Sequence, residues 1–309
     1  MDYVIYKLKF TSPVHFGKTQ LSDSEYSLCS DTVFSALCLE AVKMGEDILD
    51  KLISLVKSDE IQMSDAFPYI EDEYLIPKPH IYVESGQEEN SSVIKKAYKK
   101  LKYITIDSFE KFLDGTFDVL NAVQLSRLGV SSLKVSASIR NEKGEPMPYE
   151  VGTYSFNDKC GLYLIVGYSD DESKAMLNAL MEQLQHSGLG GKRSSGYGRF
   201  AFEVVEPTEW IISRLNGDAV KYMLLNTALP TESEMENVLS NAKYSLVKRS
   251  GFVASSKYSD TWQRKKDLVM FKSGSVFEKT FEGDLYDVST GTGCHPVFRC
   301  GKPMFMRIY

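Results

Sequence analysis

The sequence predicts an α+β fold of two ferredoxin-like domains, the first carrying a long insertion and a glycine-rich loop before its last strand. Three observations lead there. Residues 1–206 read in the order β-α-…-β-β-α-β, the split βαβ arrangement. About 46–146 interrupts that order and is too long for a plain loop, so it should carry structure of its own. After Pro207 the pattern restarts, which gives a second, smaller and degenerate ferredoxin-like domain over 207–309.

Each element has its own signal. In residues 3–10, Val4, Tyr6, Leu8 and Phe10 share one face and Lys7 and Lys9 the other, a strand ended by Ser12-Pro13. Over 31–44, Val33, Phe34, Leu37, Cys38 and Ala41 repeat at helical spacing. Ser30 or Asp31 is the expected N-cap and Gly45 suits the C-terminal cap. Gly161–Tyr168 reads as a strand, Glu172–His186 as a helix with Met176, Leu177, Leu180, Met181 and Leu184 on one face, and 199–206 as a strand. Beyond Pro207, Tyr222–Ala228, Tyr244–Ala254 and Leu268–Phe277 are strand-like, Glu232–Leu239 is helix-like, and an apolar run covers His295–Ile308.

The chain has 309 residues, 36 bases and 42 acids, a net charge of −6. Wholesale coating of duplex nucleic acid calls for a basic protein, so any nucleic-acid role must come from local patches. Such patches exist. Residues 45–90 hold twelve acids and three bases, whereas 95–102 hold five lysines and no acid, and 243–272 hold eight bases against Asp260 and Asp267. The lysine run suits a solvent-facing helix side, and the acidic stretch a solvated surface or a protein partner. The five cysteines form no Cys-x-x-Cys pair, and Cys294 and His295 are adjacent, poorly spaced for zinc; no metal is expected. Neither a signal peptide nor a membrane span is legible, which fits a reducing cytoplasm.

The most informative stretch is Gly188-Leu189-Gly190-Gly191-Lys192-Arg193-Ser194-Ser195-Gly196-Tyr197-Gly198, five glycines in eleven residues with bases and no acid. Glycines permit positive φ, and successive N–H groups can cup an anion. Ser194 and Ser195 add hydroxyls, and Lys192 and Arg193 add charge that suits phosphate. The loop follows a helix C-terminus, whose dipole repels anions, so side chains and amides must supply the attraction. The P-loop and dinucleotide fingerprints both fail here, and no cofactor is expected. The bland alternative is a helix-to-strand loop with Gly188 as cap.

With its flanking helix and strand, this loop resembles the glycine-rich loop of the RAMP superfamily of CRISPR proteins. Further segments resemble the Cas-five-like subunit of type III-A (Csm) effector complexes, the fourth Csm subunit. They are Ser30–Leu37, Ala66-Phe67-Pro68, Ile76–Pro79, Lys248–Phe252, Phe271–Ser275, His295-Pro296-Val297 and Gly301-Lys302-Pro303, in order along the chain. The resemblance implies a non-catalytic subunit that binds the 5′ tag of the CRISPR RNA (crRNA). Its partners would be the large Cas-ten-like subunit and the backbone RAMP subunit of the filament.

The residues themselves offer candidates for RNA contact beside Gly188, Gly190, Gly191, Lys192, Arg193, Ser194, Ser195, Gly196 and Gly198. Lys248, Arg249, Ser250, Gly251 and Phe252 combine charge, a flexible glycine and an aromatic face. Arg127 and Lys134, with Arg140, could line a hairpin. His15, Phe16 and Gly17 form a turn that the resemblance puts near the tag, where Phe16 could stack on a base. The competing reading is a RAMP endoribonuclease with His15 as acid or base. It needs a partner group across the scissile phosphate, and none is identifiable.

Overall fold

Both faces of the first strand are covered, and that places it inside a sheet. The structure, a computed structural model, describes residues 1–83, 92–139, 146–255, 257–291 and 293–309. β1 (Asp2–Phe10) is followed by α1 (Ser30–Met44) and α2 (Glu46–Lys57), then β2 (Ile61–Met63), β3 (Phe67–Ile70) and β4 (Glu73–Pro77). After α3 (Ser92–Lys100), β5 (Tyr103–Thr105) and α4 (Phe109–Leu113) come a long hairpin, β6 (Gly129–Ile139) and β7 (Pro146–Phe156), then β8 (Cys160–Tyr168), α5 (Asp171–Ser187) and β9 (Phe200–Val205). The main sheet runs β5-β4-β3-β8-β1-β9, with β2 also on β8. Every pairing in it is antiparallel, with Val4 opposite Val166 and Phe10 opposite Phe200. The strands of the acidic region therefore extend this sheet, because Phe67–Ile70 is apolar and buried throughout.

One face of the sheet, with Val4, Tyr6, Leu8, Leu162, Leu164 and Val166, packs on α1, α2 and α5. Leu177, Leu180 and Leu184 of α5 are buried there, each worth about 1.5–3 kcal/mol of transfer free energy. The other face, with Ile5, Tyr163 and Ile165, packs on Phe109 and Phe112 of α4 and on the C-terminal half of the chain. Two-sided cover explains why β8 reads as an unbroken apolar run.

The C-terminal half adds α6 (Glu209–Leu215), β10 (Tyr222–Leu224), α7 (Glu232–Leu239), β11 (Leu246–Arg249), β12 (Leu268–Phe271), β13 (Val276–Phe277), β14 (Leu285–Asp287), β15 (Phe298–Cys300) and β16 (Phe305–Arg307). Its sheets are small: β13-β10-β16, β11-β12 and β14-β15. The strands are shorter than the apolar runs that contain them. Leu268–Phe277 is broken by a turn in which Gly274 adopts φ +91° and the Ser275 N–H and hydroxyl both donate to the Lys272 carbonyl. Tyr222–Ala228 is a strand only as far as Leu224; beyond it the Thr227 N–H donates to Asp65 (2.9 Å), and Ala228 pairs separately with Phe271.

Two buried carboxylates join the halves at the start of α1. The N-cap is Cys29, not Ser30 or Asp31, and its side chain caps nothing. The free Ser30 N–H is taken by Asp65, 35 residues away (2.8 Å), and Asp31 is turned inward. Asp31 accepts from Arg249 on both oxygens (3.1 and 2.8 Å) and from Arg299. Burial alone would raise the Asp31 pKa; the two guanidinium groups outweigh it and hold the carboxyl below the ordinary range. For Asp65, burial dominates the bonds from Ser30 and Thr227, and its pKa is raised.

These opposite shifts predict opposite outcomes. Asp31→Asn should cost about 3–5 kcal/mol by urea denaturation at pH 7, since it strips a buried pair of its anion. Asp31, depressed in the fold, stabilises above its unfolded pKa of about 3.9 and loses that contribution as pH falls through the folded value. Asp65→Asn keeps an acceptor for Ser30 and Thr227 and should be at least as stable as the parent at pH 7. The parent alone loses stability as pH rises from the unfolded towards the raised folded pKa of Asp65.

Candidate nucleic-acid interface

The glycine-rich segment folds back on the turn after β1. Gly188 caps α5 with φ +80°, and Gly190, Gly196 and Gly198 also have positive φ, as does Lys192. The Gly191 N–H donates to the His15 carbonyl, Gly198 N–H to Pro13, and Leu189 N–H to Gly198, each at 2.9 Å. A Cβ on Gly190 would stand 2.7 Å from the His15 carbonyl oxygen and the Phe16 ring; on Gly191 it would stand 2.7 Å from the His15 ring. Close approach to this turn is what requires glycine at 190 and 191. Among the described residues, the Gly190, Lys192, Arg193 and Ser194 N–H groups donate to no backbone carbonyl.

Turn and loop together form one wall of a cavity of about 580 Å³. His15, Phe16, Gly17, Gly190 and Gly191 line it, and Lys248 and Arg249 of β11 close the opposite side. Sequence reasoning nominated all seven. It missed the rest of the charge: Lys78, Lys99, Lys102 and Lys272 also line the cavity, beside Lys18. Six lysines and one arginine thus face one acid, Glu25, which pairs with Lys18 (2.6 Å). Arg249 is committed to Asp31, and the Lys248 ammonium reaches Asp267 (2.7 Å). Burial lowers the pKa of Lys78, and burial with the charges of Lys78 and Lys272 lowers that of His80. Tyr26 and Tyr103 add aromatic surface, with Lys102 5.7 Å from the Tyr26 ring centre. Burial pushes the Tyr26 phenol up to about 12, so it is a neutral donor.

The remaining candidates lie elsewhere. Lys192 packs over the Tyr149 ring (4.7 Å) and Lys134 over Tyr197 (5.3 Å), so the two cations tie the loop to the β6–β7 hairpin. Arg193, Ser194 and Ser195 form one 3-10 turn, with both serines exposed. Arg127 is paired with Glu71 (3.1 Å) and Glu73, away from the cavity lining. Arg140 lies outside the described residues. The Ser250 carbonyl accepts from Arg299, Gly251 has φ +142°, and Phe252 is exposed against Trp262. His15 is buried, with Nδ1 2.7 Å from the Gly152 carbonyl; that contact puts the ring proton on Nδ1, and Nε2 faces Gly17 and Gly191.

A cavity with this surplus of cations beside aromatic rings is chemically suited to a polyanion with flat bases. Residues 7–201 match the RAMP superfamily, and residues 217–308 match the CRISPR Csm4 C-terminal domain. The chain is 40% identical over 295 residues to the CRISPR system Cms protein Csm4 of Mycobacterium tuberculosis, covering 95% of this chain and 94% of that one. To the Csm4 protein of Streptococcus thermophilus it is 34% identical, over 100% of this chain and 99% of the other. In fold it is similar to a chain in the crystal structure of a Csm3-Csm4 subcomplex of the type III-A CRISPR-Cas interference complex (TM-score 0.68, 21% identity, all of both chains). It is similar also to a chain of a Csm1-Csm4 cassette in complex with cA4 (TM-score 0.63, 17% identity, 100% and 98% of the two chains). The chain belongs to the Csm4 family of the RAMP superfamily. No helix among the described residues is long and apolar enough to cross a membrane.

The packing of loop on turn makes a testable distinction among the glycines. Gly190→Ala should destabilise the fold by about 2–5 kcal/mol, since overpacking against backbone adds to strain at φ +90°. Gly196→Ala, with φ +84° but open space around it, should cost about 1–2 kcal/mol, from backbone strain alone. Chemical denaturation of the two variants checks the order.

Proposed function

We propose that this chain is a non-catalytic subunit of a type III-A CRISPR-Cas Csm complex that holds the 5′ tag of the crRNA in the basic cavity. It joins the large Cas-ten-like subunit to the backbone RAMP subunit. Both halves of the chain are read as ferredoxin-like units, with the glycine-rich loop of the first acting as a clamp. The observation that carries the reading is the convergence of the 13–17 turn, Gly190, Gly191 and β11 on one cation-rich cavity with aromatic walls. Such a cavity offers phosphate contacts and stacking surface to a single strand. Full-length similarity to Csm4 proteins, and solved complexes of Csm4 with Csm1 and with Csm3, support the assembly role.

A nuclease reading fares less well on the chemistry. The Gly152 carbonyl holds the His15 Nδ1 proton and leaves Nε2 as the one nitrogen that could move a proton, and among the described residues no acid or base group is hydrogen-bonded to it.

Two measurements test the proposal. In complex reconstituted with both partner subunits, Lys99→Ala and Lys102→Ala should each weaken tagged crRNA binding. Each should also flatten the slope of log affinity against log salt by about 0.7 for every phosphate no longer neutralised; an unchanged slope in both counts against direct contact. The reconstituted parent should leave labelled precursor crRNA intact. Metal-independent cleavage at one site, abolished in His15→Ala, would establish the endoribonuclease reading instead.

A further inference from the structure

A second cavity, of about 510 Å³, lies between α1, α2 and C-terminal residues Val253, Ala254, Ser255, Lys257 and 295–298. Its walls are apolar: Phe34, Leu39, Val42 and Leu49 on one side, Val253 and Val297 on the other. Lys265 also lines it, and its amine has no hydrogen-bond acceptor and no ion-pair partner among the described residues. The nearby carboxylate, Asp31, is already shared by Arg249 and Arg299. The nearby Cys38 thiol is pushed up to about 12 by burial and is neutral. Three cations therefore share one anion, and burial, with the charge of Arg299, lowers the Lys265 pKa. Uncompensated charge in a half-buried apolar setting is costly, and a carboxylate arriving from outside would relieve it.

Glu46 and Asp50 line the α2 side of the groove.

We propose that this groove is a docking site for a segment of a second protein that fills it with aliphatic side chains, sets one acidic side chain on Lys265, and turns a basic residue towards Glu46 and Asp50. RNA is a poor occupant, since the walls offer phosphate little and the α2 rim repels it. The inference rests on the reading of this chain as a subunit of a multi-protein complex, and it deepens that reading by assigning the surface and the chemistry of its partner.

The test uses the full chain with the large and backbone subunits and crRNA. A photo-reactive benzoylphenylalanine at Val42 should cross-link to a protein subunit, at an apolar peptide containing Asp or Glu. Lys265→Glu should weaken association with that subunit by at least about thirtyfold, the range expected for breaking a desolvated charge pair. Val42→Asp, a change at a half-exposed helix position, should weaken the same association with the thermal midpoint of the free chain unchanged. Parent-like assembly of both variants, a cross-link to RNA, or a cross-link to a second copy of this chain would overturn the proposal. Failure of the parent itself to assemble would overturn the subunit reading and this inference with it; assembly of the parent with no cross-link at Val42 would overturn only the inference.

Discussion

The carboxylate of Asp31 is the constraint on which the rest of the structure turns. An ion in a low-dielectric interior is tolerated only with partners of opposite charge and good geometry. Asp31 finds them 218 and 268 residues away, in Arg249 and Arg299. Asp65 does the same for backbone, taking the Ser30 and Thr227 N–H groups on one oxygen. Together they set the first turn of α1 against β11 and β15. Cys29 and Thr32 of that turn line the basic cavity, as does Arg249 itself. The cavity is thus bounded by elements that only the folded C-terminal half brings into place.

The opposite wall has a different logic. The glycine loop does not stand free as an anion cup; five of its N–H groups, those of Leu189, Gly191, Ser195, Gly196 and Gly198, donate to carbonyls of the 13–17 turn or of the loop itself. This uses hydrogen-bonding capacity that a bare anion nest would need. What it gains is rigidity. Gly190 and Gly191 are pressed against His15 and Phe16, and Lys192 and Lys134 hold loop and hairpin together through the Tyr149 and Tyr197 rings. Lys192 and Arg193, the most conspicuous cations in the sequence, do not line the cavity, while the small residues do.

How much of this was legible depended on how local the signal was. The strand and helix periodicities of β1, α1, β8, α5 and β9 are set within each segment, and the structure places these elements within a residue or two of the pattern. Glu232–Leu239 is recovered to the residue because Thr231 and Glu234 close a capping box (2.8 Å). The short C-terminal strands were read too long, since a turn such as that at 272–275 is a tertiary event. The same holds for α1, where a side chain from Asp65 replaces the local cap that Ser30 or Asp31 seemed to offer. Lys99 and Lys102 looked like a solvated face because helical spacing cannot report what stands opposite it. Arg249 was read as a ligand-facing cation, and the structure fixes its guanidinium on Asp31 and Thr32.

Charge placement then reconciles an acidic chain with a basic cavity. At physiological ionic strength the Debye length is about 8 Å, so exposed charges on separate faces barely sense one another. The acids of α2 are largely on the outside, and Glu71 and Glu73 sit beside the β3–β4 turn with Arg127 as their counter-ion. Inside the cavity, Lys78, Lys99, Lys102 and Lys272 have no acid in an ion pair with them among the described residues. The net charge of −6 is therefore no guide to the potential in the cavity. A chain so arranged attracts a polyanion from one direction and repels it from others. Under the proposed function, orientation more than affinity is what this separation would provide, since a strand drawn to the surplus of cations would arrive already facing the rings of Tyr26 and Tyr103.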